Sequence, residues 1–82
     1  MRDDNFVSEQ GLAGLAKKFR TAAGKNRAEA ARELGVARPS LIHAEDFPEK
    51  SFFKLRCRII EKYSSYKVVG PLFLLQPKNK SS

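Results

Sequence analysis

Between Arg27 and Asp46 the chain reads RAEAARELGVARPSLIHAED, and this window constrains the fold more than any other segment. Counted from Arg27, the apolar residues Ala30, Leu34, Val36, Leu41 and Ala44 stand fourth, eighth, tenth, fifteenth and eighteenth, and the residues between them are mostly charged or small. The first pair repeats at helical spacing, and so does the last. Gly35 follows Leu34 directly, where a helix C-terminus needs a residue that tolerates a left-handed backbone. Ala31 is small where two helices that cross steeply must approach closely. The pattern predicts two short helices joined by a tight turn, the sequence form of a helix-turn-helix.

The surroundings of the window decide what such a pair of helices would be used for. Eighty-two residues make one domain with a modest core. The formal net charge of +7 is unevenly placed, with −2 over residues 1–10, +4 over 11–45 and +5 over 46–82. A basic surface of this kind attracts polyanions, of which nucleic acid is the commonest soluble one. A single cysteine, Cys57, excludes an internal disulfide framework and fits a reducing compartment. No apolar run approaches the ~20 residues of a membrane helix, and Asp3 and Asp4 interrupt any signal-like start, so a cytoplasmic protein is expected. With one histidine, one cysteine, no carboxylate pair and no glycine-rich phosphate loop in a suitable context, neither a metal site nor a catalytic triad can be assembled. The expectation is a protein that is not an enzyme and carries no cofactor.

A first helix is predicted to begin after Ser8, its cap, and to end at Gly24, with Leu12, Leu15, Ala16, Phe19 and Ala23 as its apolar stripe. Asn26 caps a second helix that runs to Leu34. A third starts near Arg38 with Pro39 in its first turn, where the missing N–H costs nothing, and stops at Asp46, Phe47 and Pro48. A fourth spans about Ser51 to Tyr63, capped by Ser51 or by Pro48 and Glu49, with Phe52, Leu55, Ile59 and Tyr63 buried and Lys54, Arg58 and Lys62 on other faces. The segment from Tyr66 to Leu75, YKVVGPLFLL, then reads as a strand. Pro71 confines it to an edge or gives it a bulge, unless Gly70 and Pro71 fold it into a hairpin.

The second and third helices with their flanks resemble the helix-turn-helix of the phage repressor and Cro group, the XRE family of bacterial regulators. The resemblance runs from roughly Leu12 to Tyr63 and rests on Ala31, Gly35, the five apolar positions and Glu45. It implies a mainly α fold, a four-helix repressor-like helix-turn-helix domain over residues 1–64; beyond it, composition alone gives a C-terminal β-strand over 65–76, a possible dimer arm, and a polar tail at 77–82 that is expected to be disordered. It also implies that Arg20, late in the first helix, pairs with Glu45 and ties the first helix to the end of the third. Arg27 stands where the family often has glutamine, and Arg38 and Pro39 stand where its recognition helix usually opens with polar residues.

On that arrangement the third helix, about residues 38–45, enters the major groove, where base edges are distinguishable. Arg38 is the expected guanine reader, His43 a donor to a base or a phosphate, and Pro39 and Ile42 contacts for thymine methyls. Phosphate contacts are expected from Lys25, Asn26 and Arg27 at the second helix, from Ser40, and from Lys50 and Ser51 beyond the third. Regulators of this group bind as two-fold dimers, so double-stranded DNA and a second copy of the chain are the expected partners. Antiparallel pairing of residues 72 to 75 across a dyad would complete the strand edge, with Val68, Val69, Leu72, Phe73, Leu74 and Leu75 forming the dimer element. The function expected is a sequence-specific, nucleoid-associated transcriptional repressor. The alternative is a protein-interaction module, such as the antitoxin of a toxin–antitoxin pair, that uses the C-terminal segment to bind its partner.

Overall fold

A computed structural model describes residues 5–6, 8–69 and 74–77. The chain is mainly helical: β1 (Asn5–Phe6), α1 (Glu9–Ala22), α2 (Arg27–Leu34), α3 (Arg38–Asp46), α4 (Phe53–Tyr63), β2 (Tyr66–Val69) and β3 (Leu74–Pro77). No helix among the described residues is long and apolar enough to cross a membrane.

Local chemistry sets the first three helices. Ser8 Oγ accepts the Gly11 N–H at 2.9 Å and starts α1. Asn26 starts α2 through a reciprocal capping box: its side chain accepts the Glu29 N–H at 2.8 Å, and Glu29 Oε1 accepts the Asn26 N–H at 2.9 Å. Gly35 ends α2 at φ +70°, and the Val36 N–H reaches back to the Ala31 carbonyl at 3.0 Å. That leaves only Gly35, Val36 and Ala37 between α2 and α3. α3 opens with Pro39 in its first turn and has no side-chain cap.

The core is one cluster of Leu12, Ala16, Ala30, Leu34, Leu41, Ala44, Ile59, Ile60 and Leu75, with Leu15, Phe19, Val36 and Tyr63 among the half-buried residues against it. Four of the five spaced apolar residues of the window are buried and Val36 is half-buried. Ala23, expected on the stripe of α1, is exposed because it lies past the last helical turn, at the C-cap.

Helix α4 differs from its expected form. It begins at Phe53 rather than Ser51, its N-cap is Phe52, and no side chain caps it. Its wholly buried residues are Arg56, Ile59 and Ile60, whereas Phe52, Leu55 and Tyr63 are half-buried. The buried face is therefore turned toward Arg56, a residue that apolar periodicity cannot select.

The C-terminal segment folds back instead of remaining a single strand. β2 and β3 are antiparallel, with Val68 opposite Leu75 and Val69 opposite Leu74. On its other side β3 pairs with β1, Phe6 opposite Leu74 and Asn5 opposite Leu75, so the sheet order is β1-β3-β2. Leu74 and Leu75 thus have strand partners on both sides within the chain. This corrects the expected pairing of these two residues across a dyad, because a central strand has no free edge to offer. Leu72 and Phe73 of that expected element, and the tail beyond Pro77, lie outside the described residues. Pro77 itself is in β3, opposite Tyr66. The sheet is also no appendage: Leu75 is 4% exposed within the core, and the Phe19 and Tyr66 rings stack at 6.1 Å.

Candidate nucleic-acid interface

α3 is fixed at its C-terminal end by buried charge. Arg20 Nε donates to Glu45 Oε2 at 2.6 Å and its Nη2 to Glu45 Oε1 at 2.9 Å, a two-pronged pair whose carboxylate is fully buried. Arg20 Nη1 also donates to the Lys25 carbonyl at 2.6 Å. One arginine therefore joins α1, the α1–α2 linker and α3. Such forked pairs are directional, and removing one partner strands a buried charge.

Arg27 is placed differently from the phosphate contact expected of it. Its Nη2 donates to Asp46 Oδ1 and Oδ2 at 3.0 and 2.8 Å, and its Nε to Glu45 Oε1 at 3.3 Å. Lys17 also reaches Asp46, at 3.4 Å. Partial burial pushes the Asp46 carboxyl up, but the charges and hydrogen bonds of Arg27 and Lys17 outweigh it and hold the group below the usual carboxylate range. The sequence placed Arg27 at the start of α2. Only the fold brings the end of α3 against it, so its guanidinium is engaged by carboxylates.

Lys25 is also paired. Its ammonium lies 2.9 Å from Glu33 Oε2, and the hydroxyl of Tyr63 donates to Glu33 Oε1 at 2.5 Å. The Tyr63 hydrogen bond, followed by that of Lys25, holds the Glu33 carboxyl below its usual range. The hydrogen bond and charge of Glu33 raise Lys25 in turn. Burial, with the same carboxylate, pushes Tyr63 well above the usual tyrosine range. The Asn26 side-chain oxygen is occupied as the α2 cap.

The remaining predicted residues gather on the exposed side of α3 and the turn after it. Arg38 and Pro39 are exposed, and Ser40 and Ile42 are half-buried. Among the described residues no carboxylate pairs with Arg38, Lys50 or Lys54. His43 is half-buried, with its ring edge-on to Phe47 at 5.0 Å and 6.0 Å from the Phe52 ring. The Lys50 ammonium lies 5.9 Å from the centre of the Phe47 ring. Pro39, His43 and Phe47 follow one another at four-residue spacing, so they form a largely apolar stripe along the outer face of α3.

Two contributors were not singled out by the sequence. Gln10, on the first turn of α1, lines an open depression of about 410 Å³ with Ser8, Pro48, Glu49, Lys50 and Ser51. Its proximity to the α3–α4 turn is a long-range contact that carries no local signal. Arg56 is the other; it is fully buried, with Nε donating to the Ala44 carbonyl at 2.8 Å and Nη2 to the Phe47 carbonyl at 2.9 Å. No group of three His, Cys, Asp or Glu residues among those described is arranged to hold a metal ion.

The arrangement presents an anchored helix whose first guanidinium has no carboxylate partner among the described residues, followed by Lys50 on the turn and Lys54 at the start of α4, which have none either. Comparison with protein-family models, with curated proteins and with solved structures finds no match to this chain.

Proposed function

We propose that the chain is a sequence-specific double-stranded-DNA-binding transcriptional regulator, with α2 and α3 as a helix-turn-helix and α3 as the helix that enters the major groove. The observation that carries this reading is Arg38: an exposed arginine without a carboxylate partner among the described residues, at the first position of a helix whose far end is clamped by Arg20 and Glu45. A planar donor fork on a rigid helix is the chemistry that reads O6 and N7 of guanine. Lys50 and Ser51 supply phosphate contacts beyond the helix. At the start of α2 the N–H groups of Arg27 and Ala28, which lack helical acceptors, serve a phosphate. The side chains of Lys25 and Arg27 contribute there only after exchanging Glu33 and Asp46 for the phosphate. Repression by promoter occupancy, a two-fold dimer and a place in the cytoplasm at the nucleoid belong to the same proposal.

The protein-partner reading depended on a C-terminal segment free to pair with another chain. β3 is paired on both sides, and the open side of β2 is blunted as well: Glu61 Oε2 accepts the Val68 N–H at 3.3 Å, and Ser64 Oγ accepts the Tyr66 N–H at 3.1 Å. Among the described residues this leaves the C-terminal segment little open edge for a partner strand, which favours the DNA-binding reading. Selection of bound duplexes from a random DNA pool tests the proposal. A palindromic consensus is expected, a single half-site would remove the dimer, and the absence of any enrichment would sink the DNA-binding reading.

A further inference from the structure

Arg56 is the most unusual side chain in the protein. It is fully buried, no carboxylate faces it among the described residues, and its Nη1 has no hydrogen-bond partner there. A buried charge of this kind costs free energy, and replacing buried ionic groups with apolar residues of similar volume is often neutral or stabilising. Stability alone therefore does not call for arginine at this position.

Its bonds indicate what it does. α3 ends at Phe47 without a left-handed glycine, and the Phe47 N–H serves only the His43 carbonyl, so the other carbonyls at this end need donors from elsewhere. Arg56 reaches from α4 to supply them, and its charge suits the negative end of the α3 dipole. The Phe47 carbonyl that receives Nη2 also receives the Lys50 N–H at 2.9 Å, closing a turn with Pro48 at its second position. The Lys50 carbonyl accepts the Phe52 N–H at 3.1 Å, and the Phe52 carbonyl accepts the Arg56 N–H at 2.9 Å. The bonds form a closed circuit from the Arg56 side chain through the α3–α4 turn and back to the Arg56 backbone.

We infer that Arg56 is the positioning residue of the Lys50–Ser51 clamp, holding from the core side the turn that meets a DNA phosphate. The inference rests on the DNA-binding reading, and it adds a role that neither residue spacing nor exposure reveals. Lys50 lies on the turn whose closing carbonyl Arg56 grips, and among the described residues its ammonium has no carboxylate to give up. Arg56 touches no ligand; it acts through the geometry of the turn.

The test uses the full chain, a random-sequence DNA duplex as probe, and two readouts. Hydrogen exchange at the Lys50 and Phe52 amides reports the turn. The salt dependence of duplex affinity reports the number of phosphates neutralised. In folded Arg56→Met the two amides exchange at least tenfold faster relative to those of α1. Affinity at 0.1 M salt falls about eightfold, and the slope of log affinity against log salt shrinks by about 0.9, the loss of one phosphate contact. Lys50→Ala gives the same change in slope, and adding it to Arg56→Met produces no further loss. Should Arg56→Met not fold, Arg56→Lys, which keeps the charge without the fork, carries the same measurements. A folded variant with unchanged turn exchange overturns the inference, and so does faster exchange with an unchanged slope. If the wild-type chain fails to bind the duplex at all, the functional reading falls, and amide exchange then reports only whether Arg56 holds the turn.

Discussion

Arg38 and Glu45 occupy opposite ends of α3 and do opposite things. Arg38 gains nothing from the fold, since it is exposed and without a carboxylate partner among the described residues. Arg38→Ala is accordingly expected to leave the melting temperature within a degree or two while costing about 1–3 kcal/mol in binding and relaxing preference at one base position. Equal loss on every duplex would remove it from base reading. Glu45 is fully buried between Arg20 and Arg27, so Glu45→Gln leaves the Arg20 guanidinium without its counter-charge. A loss of about 3–5 kcal/mol is expected by urea titration. A loss below about 1 kcal/mol would show the pair to be replaceable by water. Exposure at Arg38 fits its place between the apolar positions of the window, whereas the pairing of Glu45 with Arg20 was an expectation of the family resemblance and not of the spacing. The engagement of Arg27 by Asp46 does not, because residues far apart in sequence meet there only after α2 and α3 have packed.

At the scale of elements, helix termini were legible wherever a polar or glycine residue acts on its own neighbours. Ser8, Asn26 and Gly35 operate over three or four residues, and each stands at the boundary its chemistry predicts. α4 was less legible because its start has no side-chain cap and its buried face includes a charged residue. The C-terminal strand was legible as extended chain but not in its pairing. An apolar run does not state whether its partner is another protomer, the strand before it or the N-terminal residues. The fold answers with the last two, and the consequence is testable: Leu75 sits in the helical core, so Leu75→Ala should cost about 2–4 kcal/mol. A truncation after Ser65 should destabilise the helices instead of merely altering the oligomeric state. Unchanged thermal stability in that truncated chain would detach the sheet from the domain.

For the whole molecule, the ion pairs set a pH window. Glu33 and Asp46 have folded-state values below the ordinary carboxylate range, so their contribution is complete above that range and disappears as pH falls through the folded values. Lys25 and Tyr63 are raised above their ordinary 10.5 and 10.0, so the stability they lend is complete below those values and declines as pH rises past them. The melting temperature should therefore be flat between about pH 5 and 9 and fall on both sides. Glu33→Gln should shrink both limbs, since it removes the partner shared by Lys25 and Tyr63. A melting temperature that does not change from strongly acid to strongly alkaline buffer would show these contacts to be energetically idle.

By itself the sequence determined four helices, most of their termini, the buried apolar positions of the window and a basic surface, because capping, left-handed glycine and helical periodicity act within a few residues. Tertiary structure alone decided which cations remain uncommitted, which strands flank Leu75 and why a charged residue is buried in the first turn of α4. Those outcomes depend on which carboxylates, carbonyls and edges are brought together across the chain. An arginine reads the same in sequence whether it awaits a guanine edge, as Arg38 does in our proposal, answers a carboxylate, as Arg27 does, or closes the end of a helix from inside the core, as Arg56 does.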